Sequence, residues 1–174
     1  MGPEKHWRHD NHGVVEPVAA RPGFPASYGI RSDEEGLVAW DDVVARLERA
    51  RNYWIATTRP DGSPHTMPVW GLWLDGSFVF SSGATARKTR NLAHDPRVVV
   101  HLESGDEVVI VEGTAERIAD EAELRRIGEI YTAKYDFTFD PTGPGDYPVF
   151  RVTPKIAYAW RGDYPGTATR YAFP

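Results

Sequence analysis

The chain has 174 residues, enough for one domain, and combines 41% hydrophobic residues and six tryptophans with a formal net charge of −5. That acidic balance argues against non-specific binding of nucleic acid, which needs a broad basic surface, and the lack of cysteine excludes disulfides, thiolate catalysis and cysteine-ligated metal. No apolar run approaches the roughly 18 residues of a membrane span and no signal-peptide core opens the chain, so we expect a cytoplasmic globular protein.

Residues 1–35 are predicted to form a largely irregular N-terminal extension, followed by one domain over residues 36–174. The extension has four prolines, many charges and few periodic apolar positions. Within it, His6, His9 and His12 are spaced three apart, which on a helix could make a set of metal ligands. No carboxylate spacing supports a shaped site, so we favour a polar tail and predict no metal.

The next segment changes from helical to strand patterning. Apolar residues at positions 40, 43, 44 and 47 have the spacing of a helix. Residues 53–58 are β-branched and aromatic, and the Asp-Gly pairs at 61–62 and 75–76 are typical of hairpin turns. We therefore predict a helix followed by three strands, over Tyr53–Thr58, residues 65–74 and Ser77–Ser81.

The second half of the chain is predicted to add short helices and further strands. A helix over residues 86–94 ends at Asp95, because the residue before a proline avoids the helical region. Asp120 and Glu123 have the spacing of a helix N-cap, and TFDPTGPGDYP is a Pro/Gly-rich loop. Further strands are predicted over residues 98–102, 107–117, 149–152 and 156–160. Consecutive hairpins of this kind favour a mainly β fold with short helices, a meander or small barrel, over a doubly wound sheet.

Three cations are packed into four positions of the stretch SSGATARKTRNL, residues 81–92. Arg87 and Lys88 fall in the first turn of the predicted helix, where the helix dipole is positive and each cation costs about 0.3–1 kcal/mol. Ser82, Gly83 or Thr85 could cap this helix start. A bound anion would reverse the electrostatic cost, because a phosphate could accept hydrogen bonds from the free backbone N–H groups and from Ser82 or Thr85.

Two interpretations of these cations stay open. In the first, Arg87 offers a bidentate fork and Lys88 a point charge to a phosphate. In the second, the side chains extend into water or pair with internal carboxylates such as Glu103 or Glu112. Neither a P-loop nor a GxGxxG pattern is present, so an ATP or dinucleotide site of those types is not predicted.

The segment HTMPVWGLW, residues 65–73, carries a proline inside a predicted strand. Pro68 removes a donor from the strand ladder, so this strand is expected at a sheet edge or a bulge. Trp70 and Trp73 could line an apolar slot for a planar ring. Their pattern alone favours the alternative, in which both side chains belong to the hydrophobic core.

Taken in order, these motifs resemble the pyridoxamine 5′-phosphate oxidase-like proteins, and more narrowly their flavin/deazaflavin oxidoreductase subgroup. The likeness covers about residues 40–160 and depends on DGSPHTMPVW, DGSFVFSS, RKTRNLAHDPRV and VEGTA. It implies a six-stranded antiparallel split β-barrel of the FMN-binding type. It also implies a homodimer with two cofactor sites at the subunit interface, and FMN or coenzyme F-420 as the cofactor.

The resemblance also implies which residues bind the cofactor. It places a cofactor phosphate at the basic helix start and the tricyclic ring beside residues 65–70. The C-terminal stretch AWRGDYPGTATRYAF looks like a diverged form of the family's ending, which nominates one Trp and one Arg. The cofactor-binding residues implied in this way are His65, Met67, Pro68, Val69, Trp70, Ser81, Ser82, Ala86, Arg87, Lys88, Thr89, Trp160 and Arg170.

The same resemblance implies a reductase that passes hydride from the reduced cofactor to a small organic substrate, with no catalytic residue assigned. The oxidase's own Arg-x-His motif is absent, since Tyr171 and Ala172 follow Arg170, so oxidation of pyridoxamine phosphate is not expected. An Ala-, Arg- and Asp-rich composition favours F-420 over FMN without deciding between them. A non-catalytic cofactor carrier or redox sensor is the alternative. His65 could donate a proton or make an ordinary hydrogen bond.

Overall fold

The computed structural model describes residues 16–162 and 164–174, so the candidate metal ligands His6, His9 and His12 lie outside the described residues. Its α-helices are α1 (Trp40–Arg49), α2 (Arg87–His94), α3 (Glu121–Tyr135) and α4 (Tyr164–Thr167), with a 3-10 turn at Ala26–Tyr28. Its strands are β1 (Val18–Ala20), β2 (Tyr53–Thr58), β3 (Pro64–Val69), β4 (Gly71–Leu74), β5 (Ser77–Ser81), β6 (Arg97–His101), β7 (Val108–Arg117), β8 (Val149–Trp160) and β9 (Thr169–Ala172).

Local signals in the sequence account for most of these elements. At the β4–β5 turn, Asp75 and Gly76 have φ angles of 50° and 74°, the positive values that a two-residue hairpin turn requires. The Asp120 carboxylate accepts a hydrogen bond from the Glu123 backbone N–H at 2.8 Å, which confirms the predicted cap of α3. The apolar face of α1 is buried, as its spacing predicted.

The strands form an antiparallel sheet whose hydrogen-bonded path runs β1-β9-β8-β7-β6-β2-β3. Strand β8 is the central strand of this sheet. Strand β7 pairs along one of its edges, and on the other edge β5 pairs with residues 149–152 and β9 with residues 156–159. Strand β4 joins through β5. The fold is therefore mainly β with short helices, as predicted. The six-strand count and the closure into a barrel are not confirmed, since the described residues form nine strands, seven of them on an open path.

Two strand predictions differ from the structure. The single strand predicted over residues 65–74 is divided at Trp70 into β3, which pairs with β2, and β4, which pairs with β5. The two strands predicted over residues 149–152 and 156–160 are one strand, β8, with a register shift between Glu112 and Gly113 of β7. Pro154 lies in the shifted segment, where a residue without an N–H is tolerated.

Sequence patterns did not predict the outermost pair of strands. Strand β1 pairs with β9, which joins the N-terminal segment to the far edge of the sheet. Arg21 follows β1 directly, and its guanidinium donates hydrogen bonds to the backbone oxygens of Gly166 and Ala168, both at 3.0 Å. Residues 16–35 are otherwise largely irregular. The boundary between an extension and a domain at residue 36 stays a prediction.

The hydrophobic core has two clusters that share the β4–β5 hairpin. One cluster packs α1 against the sheet and takes Trp73, Phe78 and Phe80 from the hairpin. The other lies under α3 and takes Leu72 and Val79. Neighbouring residues of a strand face opposite sides of the sheet, so the two clusters bury both faces of this hairpin. The end of the hairpin opposite its turn meets α2 and the loop after α3. Among the described helices, none is long and apolar enough to cross a membrane.

Candidate functional site

A cavity of about 640 Å³ lies between the end of the β4–β5 hairpin, the start of α2 and the loop between α3 and β8. Its volume is in the range of small-molecule sites. Of the residues predicted to bind a cofactor, it brings six together: Pro68, Val69, Trp70, Ser81, Ser82 and Lys88. The remaining lining comes from Gly83, α3 and the loop that follows α3.

The N-terminus of α2 faces this region without a side-chain cap. Ala86 is the N-cap residue, and the first turn contains no acidic side chain. The prediction that Ser82, Gly83 or Thr85 caps this helix is therefore wrong. Because the first backbone N–H groups of a helix have no acceptor within the helix, this end can donate hydrogen bonds to an anion.

Lys88 lines the cavity about half buried, and burial lowers the pKa of its ammonium below the ordinary value. Among the described residues it forms no ion pair, and Arg87 is exposed and forms none either. The alternative that these cations pair with Glu103 or Glu112 is thus wrong. An ammonium held partly out of water without a counterion is costly, and an anion in the cavity would relieve that cost.

The hydroxyl groups predicted to bind the cofactor at this end of the cavity make hydrogen bonds within the protein. The Ser81 hydroxyl donates to the backbone oxygen of Tyr147 at 3.2 Å. The Thr89 hydroxyl donates to the backbone oxygen of Gly83 at 2.8 Å and lies 3.0 Å from the buried Ser82 hydroxyl. These bonds fasten the chain between β5 and α2, so that the start of α2 is held beside the cavity.

Strand β3 lies at the sheet edge, as its proline predicted, and pairs with β2 alone among the described strands. Met67 on this strand is 46% exposed. The Nδ1 atom of His65 is buried without a hydrogen-bond partner in the described part of the chain. Burial, assisted by the cations of Arg59, Lys88 and Arg87, lowers the pKa of His65, so its ring is neutral at pH 7. His65 therefore lies within electrostatic range of the start of α2, although it does not line the cavity.

The two tryptophans of the segment 65–73 have different environments. Trp73 is 6% exposed and packs edge-to-face on Trp40 at 6.0 Å, so it belongs to the core. Trp70 lines the cavity and stacks on Tyr135, with ring centroids 4.6 Å apart and an interplanar angle of 6°. The Arg51 guanidinium lies 5.1 Å from the Trp70 ring centroid. Each interpretation made from the sequence is thus right for one of the two residues.

A buried polar cluster holds the backbone behind Trp70. The Lys134 ammonium donates to the Tyr53 hydroxyl at 2.9 Å and to the Gly71 backbone oxygen at 3.1 Å. The Tyr135 hydroxyl donates to that same oxygen at 2.8 Å. Burial lowers the pKa of Lys134 to about 8 and raises the pKa of Tyr53. These bonds fix the point at which the chain leaves β3 for β4.

The loop between α3 and β8, to which the sequence pattern gave no role, forms one wall of the cavity. Phe137 and Tyr147 on this loop are 54% and 59% exposed. Phe137 packs edge-to-face on Trp70 at 6.1 Å. Large aromatic residues in a Pro/Gly-rich loop have no regular element to bury them, and that signal could have identified this wall from the sequence.

Trp160 and Arg170 lie at the opposite end of the sheet. Val149 of β8 pairs with Ser81 at the cavity, and Trp160 is the last residue of the same strand, roughly 35 Å further along it at about 3.3 Å per residue. Arg170 pairs with Tyr158, near that distant end. The chain therefore does not bring these two residues to its own cavity.

Comparison with known proteins shows the family. Residues 39–161 match the model of the pyridoxamine 5′-phosphate oxidase family, which is well over half of the chain. The chain belongs to this family, as the motifs in the sequence predicted. No curated protein sequence matches the chain.

Solved structures with folds similar to that of this chain belong to proteins with different names. A conserved hypothetical protein from Mycobacterium tuberculosis has a TM-score of 0.67 at 23% identity, with 76% of this chain and 91% of that one covered. An F-420 reductase has a TM-score of 0.55 at 25% identity, with 65% and 93% covered. A heme binding protein from Mycobacterium smegmatis has a TM-score of 0.60 at 25% identity, with 74% and 56% covered.

Proposed function

We propose that this protein is a flavin- or deazaflavin-dependent oxidoreductase, which holds coenzyme F-420 or FMN in the cavity and reduces a small organic substrate. The observation that carries the proposal is Lys88, a half-buried cation that has no carboxylate partner among the described residues and lies beside an uncapped helix start. A cofactor phosphate supplies the charge that this arrangement lacks. The F-420 reductase among the related folds supports the same reading.

The cavity residues fit a ligand with an anionic end and a planar end. At the start of α2, the ammonium of Lys88 and the first backbone N–H groups would hold a phosphate, with the exposed Arg87 guanidinium in reach of its solvent side. Pro68 and Val69 of the edge strand would lie along a planar ring, and Trp70 would bound it. When bound, such a cofactor supplies hydride transfer, while the chain binds it, orients it and excludes water.

A homodimer with the cofactor at its interface is part of this proposal. Trp160 and Arg170 lie far from the cavity of their own chain, so a partner subunit would be needed to bring them to a cofactor. Half-buried apolar residues on the outer face of the sheet, among them Val99 and Ile156, line an open groove of about 480 Å³. A second copy packed on this face would cover them.

The cofactor is tested by incubating the purified protein with equimolar F-420 and FMN, removing unbound ligand and identifying what denaturation releases by mass spectrometry. We expect one of the two to be retained. Release of heme instead, or of nothing, contradicts the proposal. Reduced cofactor is then supplied anaerobically with a panel of organic acceptors. Turnover supports a reductase, whereas tight binding without turnover supports the carrier or sensor alternative.

The homodimer is tested with tagged chains that form a defined heterodimer of a Lys88→Ala subunit and an Arg170→Ala subunit. If the residues meet across the interface, one of the two sites contains both native side chains, and calorimetry finds one site of native affinity per dimer. The matched control pairs a doubly substituted subunit with a native one, which leaves no complete site across the interface. Native affinity in that control, or a monomer by sedimentation, would show that the residues do not meet in this way.

A further inference from the structure

We infer that the loop over residues 136–148 selects the substrate, and that the substrate is an uncharged planar ring held against Phe137 and Tyr147. This inference rests on the proposed function, because it assigns the Lys88 end of the cavity to the cofactor phosphate. The loop supplies a further wall of the same cavity, so one cavity would hold both the anionic part of the cofactor, at Lys88, and the substrate ring, at the loop.

The exposure of the two rings is the first observation. Phe137 and Tyr147 are 54% and 59% exposed, and both line the cavity. Leaving a large apolar side chain in water forgoes about 1.5–3 kcal/mol of burial. Two such side chains on one loop, both at the edge of one cavity, form the apolar surface that a ligand would cover.

The Phe137 ring and the loop next to it are also held in place before any ligand arrives. Phe137 packs on Trp70, and Tyr131 of α3 packs on Phe139 with centroids 4.9 Å apart. The Asp140 carboxylate accepts hydrogen bonds from the Thr142 backbone N–H at 2.9 Å and from the Thr142 hydroxyl at 2.7 Å. A loop tied in this way presents a flat apolar wall of defined shape, which favours a planar ligand over a puckered one.

The charges around the cavity favour an uncharged ligand at the loop. Lys88 and Asp140 are the charged side chains of its described lining, and Asp140 belongs to the loop. Hydrogen bonds from Thr142 lower the pKa of Asp140, so its carboxylate is an anion at neutral pH. An anionic substrate would be repelled there, and Lys88 is committed to the phosphate. On reduction such a ring gains a hydride from the reduced cofactor and a proton from solvent, and the cofactor loses two electrons.

The test compares two probes that share a skeleton and a hydroxyl group but differ in planarity, 2-naphthol and decahydro-2-naphthol. Calorimetry on the cofactor-loaded protein is expected to give 2-naphthol a dissociation constant at least about fivefold lower, the size of a specific aromatic contact. Phe137→Ala should weaken 2-naphthol binding about five- to tenfold, with the cofactor dissociation constant unchanged. Phe137→Tyr should restore the binding, whereas Phe137→Leu should not.

Phe24→Ala is the matched control, because Phe24 is a partly exposed aromatic residue that does not line the cavity. Equal affinity for the two probes, or the same 2-naphthol affinity in Phe137→Ala and Tyr147→Ala as in the native protein, overturns the inference. Loss of the cofactor itself from Phe137→Ala also overturns it, since the ring at the loop would then be the cofactor's. A native protein that retains neither F-420 nor FMN overturns the proposed function, and this inference with it.

Discussion

Arg21 and Lys88 are basic side chains, the first largely and the second about half buried, and their surroundings are opposite. Arg21 has a side chain that is 10% exposed and donates to four backbone oxygens, those of Asp33, Glu35, Gly166 and Ala168. Lys88 lines a cavity without a partner of opposite charge in the described chain. The first cation is satisfied by the protein and holds two segments together. The second costs stability, which is expected of a residue placed for a ligand.

This difference also separates the two ends of the sheet. At the Arg21 end, the N-terminal segment is closed onto the region before β9, and Gly36 approaches so closely that a Cβ would lie 2.8 Å from the Gly166 backbone oxygen. At the Lys88 end, a helix start, an edge strand and exposed aromatic rings surround an open cavity. We propose that the Lys88 end binds the cofactor, whereas the Arg21 contacts at the other end hold the fold together.

Arg21→Ala should have the largest effect and should act on stability alone. The substitution leaves four backbone oxygens without their donor, and one charge-assisted hydrogen bond contributes about 1.5–3 kcal/mol. Because some of these oxygens would regain water, we expect a loss of about 2–3 kcal/mol, or roughly 4–12 °C in Tm. Thermal and urea unfolding measure it. Arg21→Lys should recover only part of the lost stability, since an ammonium lacks the planar fork of a guanidinium. A large loss of cofactor affinity in Arg21→Ala would contradict the separation of the two ends.

Lys88→Ala should show the reverse pattern. We expect cofactor affinity to fall tenfold or more, the equivalent of about 1.5–3 kcal/mol for a charge-assisted hydrogen bond to phosphate. Stability of the cofactor-free protein should not fall, because the cation removed has no counterion in the part of the chain that the structure describes. Titration calorimetry and urea unfolding of the same preparation test both halves. Unchanged affinity would move the phosphate to another site.

Lys134→Met tests a third kind of cation, one that is buried among neutral partners. The folded protein holds the pKa of Lys134 near 8, whereas the unfolded chain keeps this lysine protonated to about 10.5. Between pH 8 and 10 the unfolded state therefore binds more protons at Lys134, and the contribution of Lys134 to the free energy of unfolding rises with pH. Because the ammonium is partly solvated, we expect a rise of only about 1 kcal/mol.

Urea unfolding at several pH values between 8 and 10 measures this contribution as the difference between two slopes, because the free energy of unfolding of Lys134→Met should rise less with pH than that of the native protein. Lys155→Met, a substitution of an exposed lysine, is the control and should keep the native slope. Parallel pH profiles for the native protein and Lys134→Met would mean that Lys134 keeps its proton in the fold throughout this range.

Arg90→Ala should have the smallest effect. Arg90 is exposed and does not line the cavity, although it lies one turn after the uncapped start of α2. We expect cofactor affinity to change by less than about threefold, the size of a screened surface charge effect. A tenfold loss in the same titration would add Arg90 to the phosphate site.

The sequence predicted the parts of the fold that depend on local chemistry. Asp-Gly turns, the Asp120 cap and the apolar face of α1 each follow from a few neighbouring residues, and all three are confirmed. The division of residues 65–74 at Trp70 did not follow from the pattern, because it depends on which strand pairs with each half. The β1–β9 pair was missed for the same reason, since neither strand is long enough to have a periodic pattern.

Some features of the candidate site were likewise identified from the sequence, and others only from the tertiary structure. The sequence by itself identified the basic helix start, the edge strand with Pro68 and the family, because each depends on residue types at short spacing. Tertiary structure alone showed that Lys88 has no partner of opposite charge among the described residues. It also showed that Trp73 lies in the core while Trp70 lines the cavity, and that the loop containing Phe137 forms part of the cavity wall. It also placed Trp160 far from its own cavity. Such facts depend on which distant segments meet in space, and no local spacing in a chain contains that information.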